Sequence, residues 1–187
     1  MPHNERRLPH WDVIGSPLFV TFRLHGSLPP NRTFLPERLT TGKAFAAMDR
    51  ILDNARTGPL FLREPQIADL VTQAILDGES RFARYQLHAF VVMTNHVHML
   101  VTPQVVATKW LGPLKGFTAH EANRILSNHG TPFWQDESYD HLVRSDAEFG
   151  RIHDYIERNP ITAGVVVAAE EFRWSSAEKP PERRLQP

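Results

Sequence analysis

The apolar positions along the chain fall into two periods, and each period predicts an element. Leu18-Phe19-Val20-Thr21-Phe22-Arg23-Leu24 is β-branched and aromatic and predicts a strand, closed by a loop at Gly26, Pro29 and Pro30. Phe45, Met48, Ile51 and Leu52 recur at helical spacing and predict a helix over 41–55, and Ile67, Leu70, Val71 and Ile75 predict another over 65–81. Residues 86–93 form a strongly apolar strand. Thr94-Asn95 is a tight connector to a strand over 96–101, so these two pair as a hairpin. A helix over 107–127 carries Trp110, Leu111, Leu114, Phe117 and Ile125 on its apolar side, and Asn128-His129-Gly130 ends it. Phe133-Trp134 and residues 139–144 are short extended stretches. Ser145 or Asp146 caps a final helix, with Glu148 completing a capping-box pattern. That helix carries Phe149, Ile152, Tyr155 and Ile156, and is expected to stop at Pro160. The order predicts an α+β fold: a ferredoxin-like antiparallel sheet of four or five strands with helices packed on one face.

Composition narrows the class. At 187 residues the chain is expected to form a single domain over 1–176, with the Pro-rich, charged tail 177–187 disordered. There is no cysteine, which excludes disulfides, thiolate zinc sites and a cysteine nucleophile. The start carries no secretory pattern and no apolar run approaches a membrane span, so a cytoplasmic location and no membrane partner are expected. Lys+Arg and Asp+Glu number 21 each, so net charge gives no support to nonspecific nucleic-acid binding. The charge is uneven, however. Arg6, Arg7, Arg23, Arg32, Arg38 and Lys43 outnumber the acids of the first quarter, and a locally basic surface binds DNA even on a neutral protein.

The candidate chemistry begins at His96 and His98. Alternate side chains of a strand share a face, so both imidazoles project together while Val97 and Met99 point into packing. Two adjacent imidazoles are half of a divalent metal site; they also suit a polar strand edge. On the last helix Tyr155 and Asn159 lie four apart and share a face. A tyrosine hydroxyl there can attack phosphorus beside a metal, and an amide oxygen one turn on can complete a two-histidine site. Equally, Tyr155 fits the apolar pattern as a core residue, and Asn159 before a proline fits a helix stop.

Four blocks in order carry a resemblance. They are Pro9-His10-Trp11 followed by Phe19-Val20-Thr21-Phe22-Arg23-Leu24; Asn95-His96-Val97-His98-Met99-Leu100-Val101; Phe133-Trp134-Gln135 leading to Tyr139-Asp140-His141-Leu142-Val143-Arg144; and Tyr155-Ile156-Glu157-Arg158-Asn159-Pro160-Ile161-Thr162-Ala163-Gly164-Val165-Val166, closed by Trp174-Ser175-Ser176. Over most of its length the chain resembles the HUH single-tyrosine transposases, and among them the REP-associated tyrosine transposases. The resemblance implies the HUH endonuclease type of fold, with His96, His98 and Asn159 holding Mg²⁺ or Mn²⁺. It implies Tyr155 as the nucleophile toward single-stranded DNA, forming a covalent 5′-phosphotyrosine and a free 3′-hydroxyl that permits strand transfer without ATP. Two imidazoles make Mn²⁺ the better activator in vitro. The implied substrate is a palindromic, REP-like hairpin, the implied location is nucleoid-associated, and the implied assembly is a monomer or homodimer. Arg23 and Arg144 become candidate phosphate contacts, Trp11, Trp134 and Tyr139 candidate base stackers, and His141 a residue that touches the site or caps its short strand. Each aromatic has a core alternative, and each arginine a surface ion-pair alternative.

Two other classes compete. A His-triad nucleotide hydrolase requires a third histidine where this chain has Leu100. A domesticated, non-catalytic hairpin-DNA-binding protein requires none of His96, His98 and Tyr155, all of which are present.

Overall fold

The computed structural model describes residues 13–28, 42–128 and 130–178. Pro9-His10-Trp11, the prolines at 29 and 30, Arg6, Arg7, Arg32, Arg38, the Lys43 side chain, His129 and the tail beyond 178 lie outside the described residues. Four strands, β1 (Leu18–Arg23), β2 (Tyr85–Val92), β3 (His96–Pro103) and β4 (Tyr139–Leu142), form one sheet in the order β2-β3-β1-β4. Every pairing is antiparallel, with Thr21 opposite both His98 and Tyr139. Among the described residues four α-helices accompany it: α1 (Gly42–Asp53), α2 (Pro65–Ser80), α3 (Ala107–Ile125) and α4 (Asp146–Thr162). The expected α+β, ferredoxin-like order is present.

The helices, expected on one face, cover both. Leu18, Val20, Phe22, Val97, Met99 and Val101 face the crossover helices α2 and α3 through Ile67, Val71, Ile75, Trp110 and Leu114. Phe19, Val91 and Leu100 face α1 and α4 through Phe45, Met48, Leu52 and Ile156. The cause is visible in the strands. Stretches such as 18–20 and 89–93 are apolar at successive positions, and a strand apolar on both faces must be covered on both. Between Leu87 and Ala89 the register shifts by a bulge, which turns His88 against the Phe149 ring of α4.

Helix boundaries follow local chemistry, with two departures, and one buried stripe differs from expectation. Ser145 caps α4 by accepting from the Glu148 backbone N–H, as its residue type predicts. The helix does not stop at Pro160 but runs to Thr162. A proline here removes only one late hydrogen bond, and the chain turns at Gly164 with φ +69°, which glycine adopts without steric cost. Helix α3 ends before the Asn128–Gly130 stretch expected to stop it, with Ser127 in the left-handed region at φ +53°. Its buried stripe is Trp110, Leu111, Leu114, Thr118 and Ala122, while Phe117 and Ile125, expected inside, are exposed. Thr118 takes the inner position because its hydroxyl donates to the Leu114 carbonyl at 2.7 Å and accepts the Trp134 indole N–H at 2.9 Å.

The C-terminal segment covers the β2 edge. The Val92 N–H donates to the Trp174 carbonyl at 2.8 Å and the Ser176 N–H to the Phe90 carbonyl at 2.9 Å, so this edge is not left as a template for foreign strands. Among the described residues no helix is long and apolar enough to cross a membrane.

At Gly78, inside α2, two effects oppose each other. An alanine raises helix propensity by up to about 1 kcal/mol. A Cβ at this position, however, collides with the buried Tyr85 ring, whose hydroxyl donates to the Ile75 carbonyl at 2.6 Å. Overpacking of this kind costs about 1–3 kcal/mol. Gly78→Ala is therefore expected to lower stability in urea unfolding, whereas propensity alone predicts a gain.

Candidate active site

Alternation along β3 places His96 and His98 on the α1/α4 face, both fully buried, with their Nε2 atoms 3.1 Å apart. The outer nitrogens are anchored separately. His98 Nδ1 lies 2.7 Å from the Thr21 hydroxyl on the paired strand, and His96 Nδ1 lies 2.7 Å from Asn95 Oδ1. The Asn95 amide is itself oriented, because its Nδ2 donates to the Leu52 carbonyl at 3.0 Å. Its Oδ1 is thus an acceptor, which puts the His96 proton on Nδ1 and leaves Nε2 a bare lone pair. Burial, reinforced by His98, pushes the His96 pKa down to about 3, so its imidazole is neutral at physiological pH.

Helix α1 adds a carboxylate that sequence reading missed. Asp49 is 2 % exposed; its Oδ1 lies 3.0 Å from His98 Nε2 and 3.4 Å from His96 Nε2. These contacts are short but poorly aligned for hydrogen bonding, so Oδ1 is buried without a hydrogen-bond partner. Burial raises the Asp49 pKa, but the adjacent histidines and the Asn159 amide outweigh it and the net direction is down. One turn on, Asp53 places Oδ1 3.7 Å from His96 Nε2, and burial together with the Asp49 charge pushes its pKa up to about 7. The signal for Asp49 was available: it occupies the inner face of its helix with Phe45, Met48 and Leu52, where an acid has no reason to sit unless something pairs with it.

Helix α4 brings the remaining residues. Asn159 is 1 % exposed; its Nδ2 donates to Asp49 Oδ2 at 3.3 Å, and its Oδ1 is buried with no hydrogen-bond partner. Tyr155, one turn earlier and half-buried, places its ring centroid 5.7 Å from that of His98 and also packs edge-on to Phe19 and Phe45. The structure thus gathers Tyr155, Asn159, His96 and His98 on one face of the sheet. Two imidazole nitrogens, one carboxylate oxygen and an orphaned amide oxygen are a donor set that suits a divalent cation, and Asp49, His96 and His98 form a buried group able to hold one.

The other predicted residues divide. Tyr139 is half-buried on the same face and stacks on Phe45 at 4.6 Å. Arg23, at the end of β1, donates to the Ser27 hydroxyl at 3.2 Å; burial lowers its pKa, and Glu137 opposes that. His141 contacts Glu148 Oε1 at 2.8 Å through Nε2, bracing β4 against the start of α4. Arg144 is exposed, and its backbone N–H donates to Glu148. Trp134 is a correction. It is buried in the opposite core, edge-on to Phe22 at 4.9 Å with its indole N–H spent on Thr118, so it offers no face to a base.

Comparison with known proteins bears on the family and the fold. The family described as "Transposase IS200 like" matches residues 66–159, half of the chain, spanning both histidines, Tyr155 and Asn159. A solved REP-associated tyrosine transposase bound to a REP hairpin superposes with a TM-score of 0.62 at 18 % identity, covering 96 % of this chain and 87 % of that one. A chain from Deinococcus radiodurans described as a transposase aligns at 16 % identity over 80 % of this chain and 95 % of its own, with a TM-score of 0.39, so the fold comparison rests on the first structure alone. Comparison with curated proteins gives no match. A family match across the segment that carries the site, on an antiparallel sheet of the same fold, leads to one conclusion: the chain belongs to the IS200-like transposase family.

Proposed function

We propose that this transposase cleaves and rejoins single-stranded DNA through Tyr155, acting on a palindromic hairpin of the REP type. One observation carries the reading: the Tyr155 ring stands 5.7 Å from the His98 ring, on the helix that also delivers Asn159 to the buried carboxylate. The Tyr155 oxygen attacks phosphorus and loses its proton. The bond from phosphorus to the 3′-oxygen breaks, and that oxygen leaves as a 3′-hydroxyl after taking up a proton. The 5′-phosphate stays on the tyrosine. Attack by a 3′-hydroxyl then breaks the phosphotyrosyl bond, restores Tyr155 and joins the strand, so phosphodiester energy is conserved throughout.

His96, His98 and Asn159, with Asp49 beside them, would hold Mg²⁺ or Mn²⁺. When bound, the cation supplies Lewis-acid polarisation of the phosphate and alignment of the attack. The protein's own residues do the positioning. Asn95 and Thr21 hold the imidazoles in orientation. The packing of Phe19 and Phe45 limits where the Tyr155 ring can lie. Tyr139, Arg23, His141 and Arg144 lie at the end of β1, on β4 or just beyond it and are assigned to the DNA strand; the hairpin seen with the structural relative supports a hairpin substrate here.

Incubation with labelled hairpin DNA and Mn²⁺, followed by a denaturing gel, tests this. A covalent protein–DNA band is expected from the wild type, and none from Tyr155→Phe or from His96→Ala with His98→Ala. Asn159→Ala is expected to keep a weaker band that needs more Mn²⁺. A band surviving in Tyr155→Phe would remove the nucleophile assignment; hairpin binding without any band in the wild type would leave a DNA-binding protein.

Thr21→Val removes the hydroxyl beside His98 Nδ1 and keeps the shape. Loss of such a supporting contact is expected to weaken Mn²⁺ binding about 10–100-fold with little change in melting temperature. Calorimetric titration checks it.

A further inference from the structure

We propose that Asp49 is a direct anionic ligand of the cation, and that the cation thereby fastens helix α1 across the site. This rests on the metal-site reading above, not on the tyrosine chemistry. Asp49 lies on the buried stripe of α1, and among the described residues no lysine or arginine pairs with it; its ion-pair contacts are the two histidines. One of those contacts cannot be a hydrogen bond. The Asn95 amide holds the His96 proton on Nδ1, so a bare Nε2 lone pair faces Asp49 Oδ1 across 3.4 Å. Two electron-rich atoms at that separation in a dry pocket repel each other, and a cation bound by both turns the repulsion into attraction.

The two oxygens of Asp49 have separate tasks. Oδ2 accepts from Asn159 Nδ2 at 3.3 Å and so turns the Asn159 amide, whose own Oδ1 is buried and unpartnered. Oδ1 remains for the metal. Two imidazoles and a carboxylate also favour Mn²⁺ over Mg²⁺, because octahedral Mg²⁺ prefers oxygen throughout.

The same contacts tie down α1. Asn95 orients His96 and also donates to the Leu52 carbonyl in the last turn of α1, so ligand and helix share one anchor. Asp53, four residues after Asp49, leaves a second unpartnered oxygen 3.7 Å from His96 Nε2. Without a cation, α1 brings the Asp49 carboxylate and the Asp53 carboxyl group toward each other and toward a lone pair. With a cation, that concentration of lone pairs becomes the reason for the helix to stay. A ligand that binds only the docked arrangement stabilises that arrangement.

Hydrogen–deuterium exchange and Mn²⁺ calorimetry on the full chain without DNA test the proposal, using wild type and Asp49→Asn. Asparagine keeps the size and an acceptor for Asn159 but removes the charge. Saturating Mn²⁺ is expected to slow exchange of the α1 amides about tenfold or more in the wild type. Asp49→Asn is expected to bind Mn²⁺ about 30-fold or more weaker, to show no added α1 protection at saturation, and to melt no lower than the wild type when both are metal-free. Mn²⁺ affinity within about threefold of wild type, α1 exchange indifferent to Mn²⁺ in the wild type, or a metal-free variant melting well below the wild type overturns it. If the wild type binds no Mn²⁺, this proposal falls together with the metal-site reading. If Mn²⁺ protects α1 through Asp49 but no tyrosyl–DNA band forms, this proposal stands and the role of Tyr155 falls.

Discussion

His96, His98 and Asp49 bring two ring nitrogens and a carboxylate oxygen within 3.4 Å of one another where solvent does not reach. Much of the fold bears on making that meeting tolerable. Desolvating a carboxylate is costly, and desolvating it beside a lone pair costs more. Each group is therefore held from behind: His98 by Thr21 of β1, His96 by Asn95 of the hairpin turn, and Asp49 by Asn159 of α4. Elements far apart in the chain are committed to one small buried space. A cation is the natural counterweight to that concentration of electron density.

The sheet separates this chemistry from ordinary stability. On one face, Val97, Met99 and Val101 pack with the crossover helices α2 and α3 into an apolar core that includes Trp110 and Trp134. On the other face the same strand presents His96 and His98. The period of two in a strand allows both from a single run of residues. Helix α4 contributes to both the core and the histidine face within two turns. Ile156 is buried in the second core, while Tyr155 and Asn159 reach the histidine face.

The histidine pair was legible because strand alternation is local. Knowing that residues 96–101 are extended is enough to put His96 and His98 together. The Tyr155 and Asn159 pairing was legible for the same reason at helical period. Trp134 was ambiguous because an indole suits a base or a core equally, and only the partner at Thr118 decides. Asp49 was missed because its partners lie forty-odd residues and more away, and an isolated acid in a helix usually faces water. The inner stripe of α3 was misread where Thr118 replaced Phe117, since a side-chain hydrogen bond to Leu114 made a polar residue acceptable inside.

By itself the sequence determined the element types, the two short-period pairs His96/His98 and Tyr155/Asn159, and the blocks by which the family is recognised. Each of these depends on neighbours within a few residues, where backbone geometry sets the answer. The tertiary structure alone decided that helices cover both faces, that α4 passes through Pro160 to Gly164, that Trp134 is core, and that a carboxylate from α1 joins the histidines. Those outcomes depend on which distant side chains share a desolvated space, and burial makes their charges and lone pairs answer to one another.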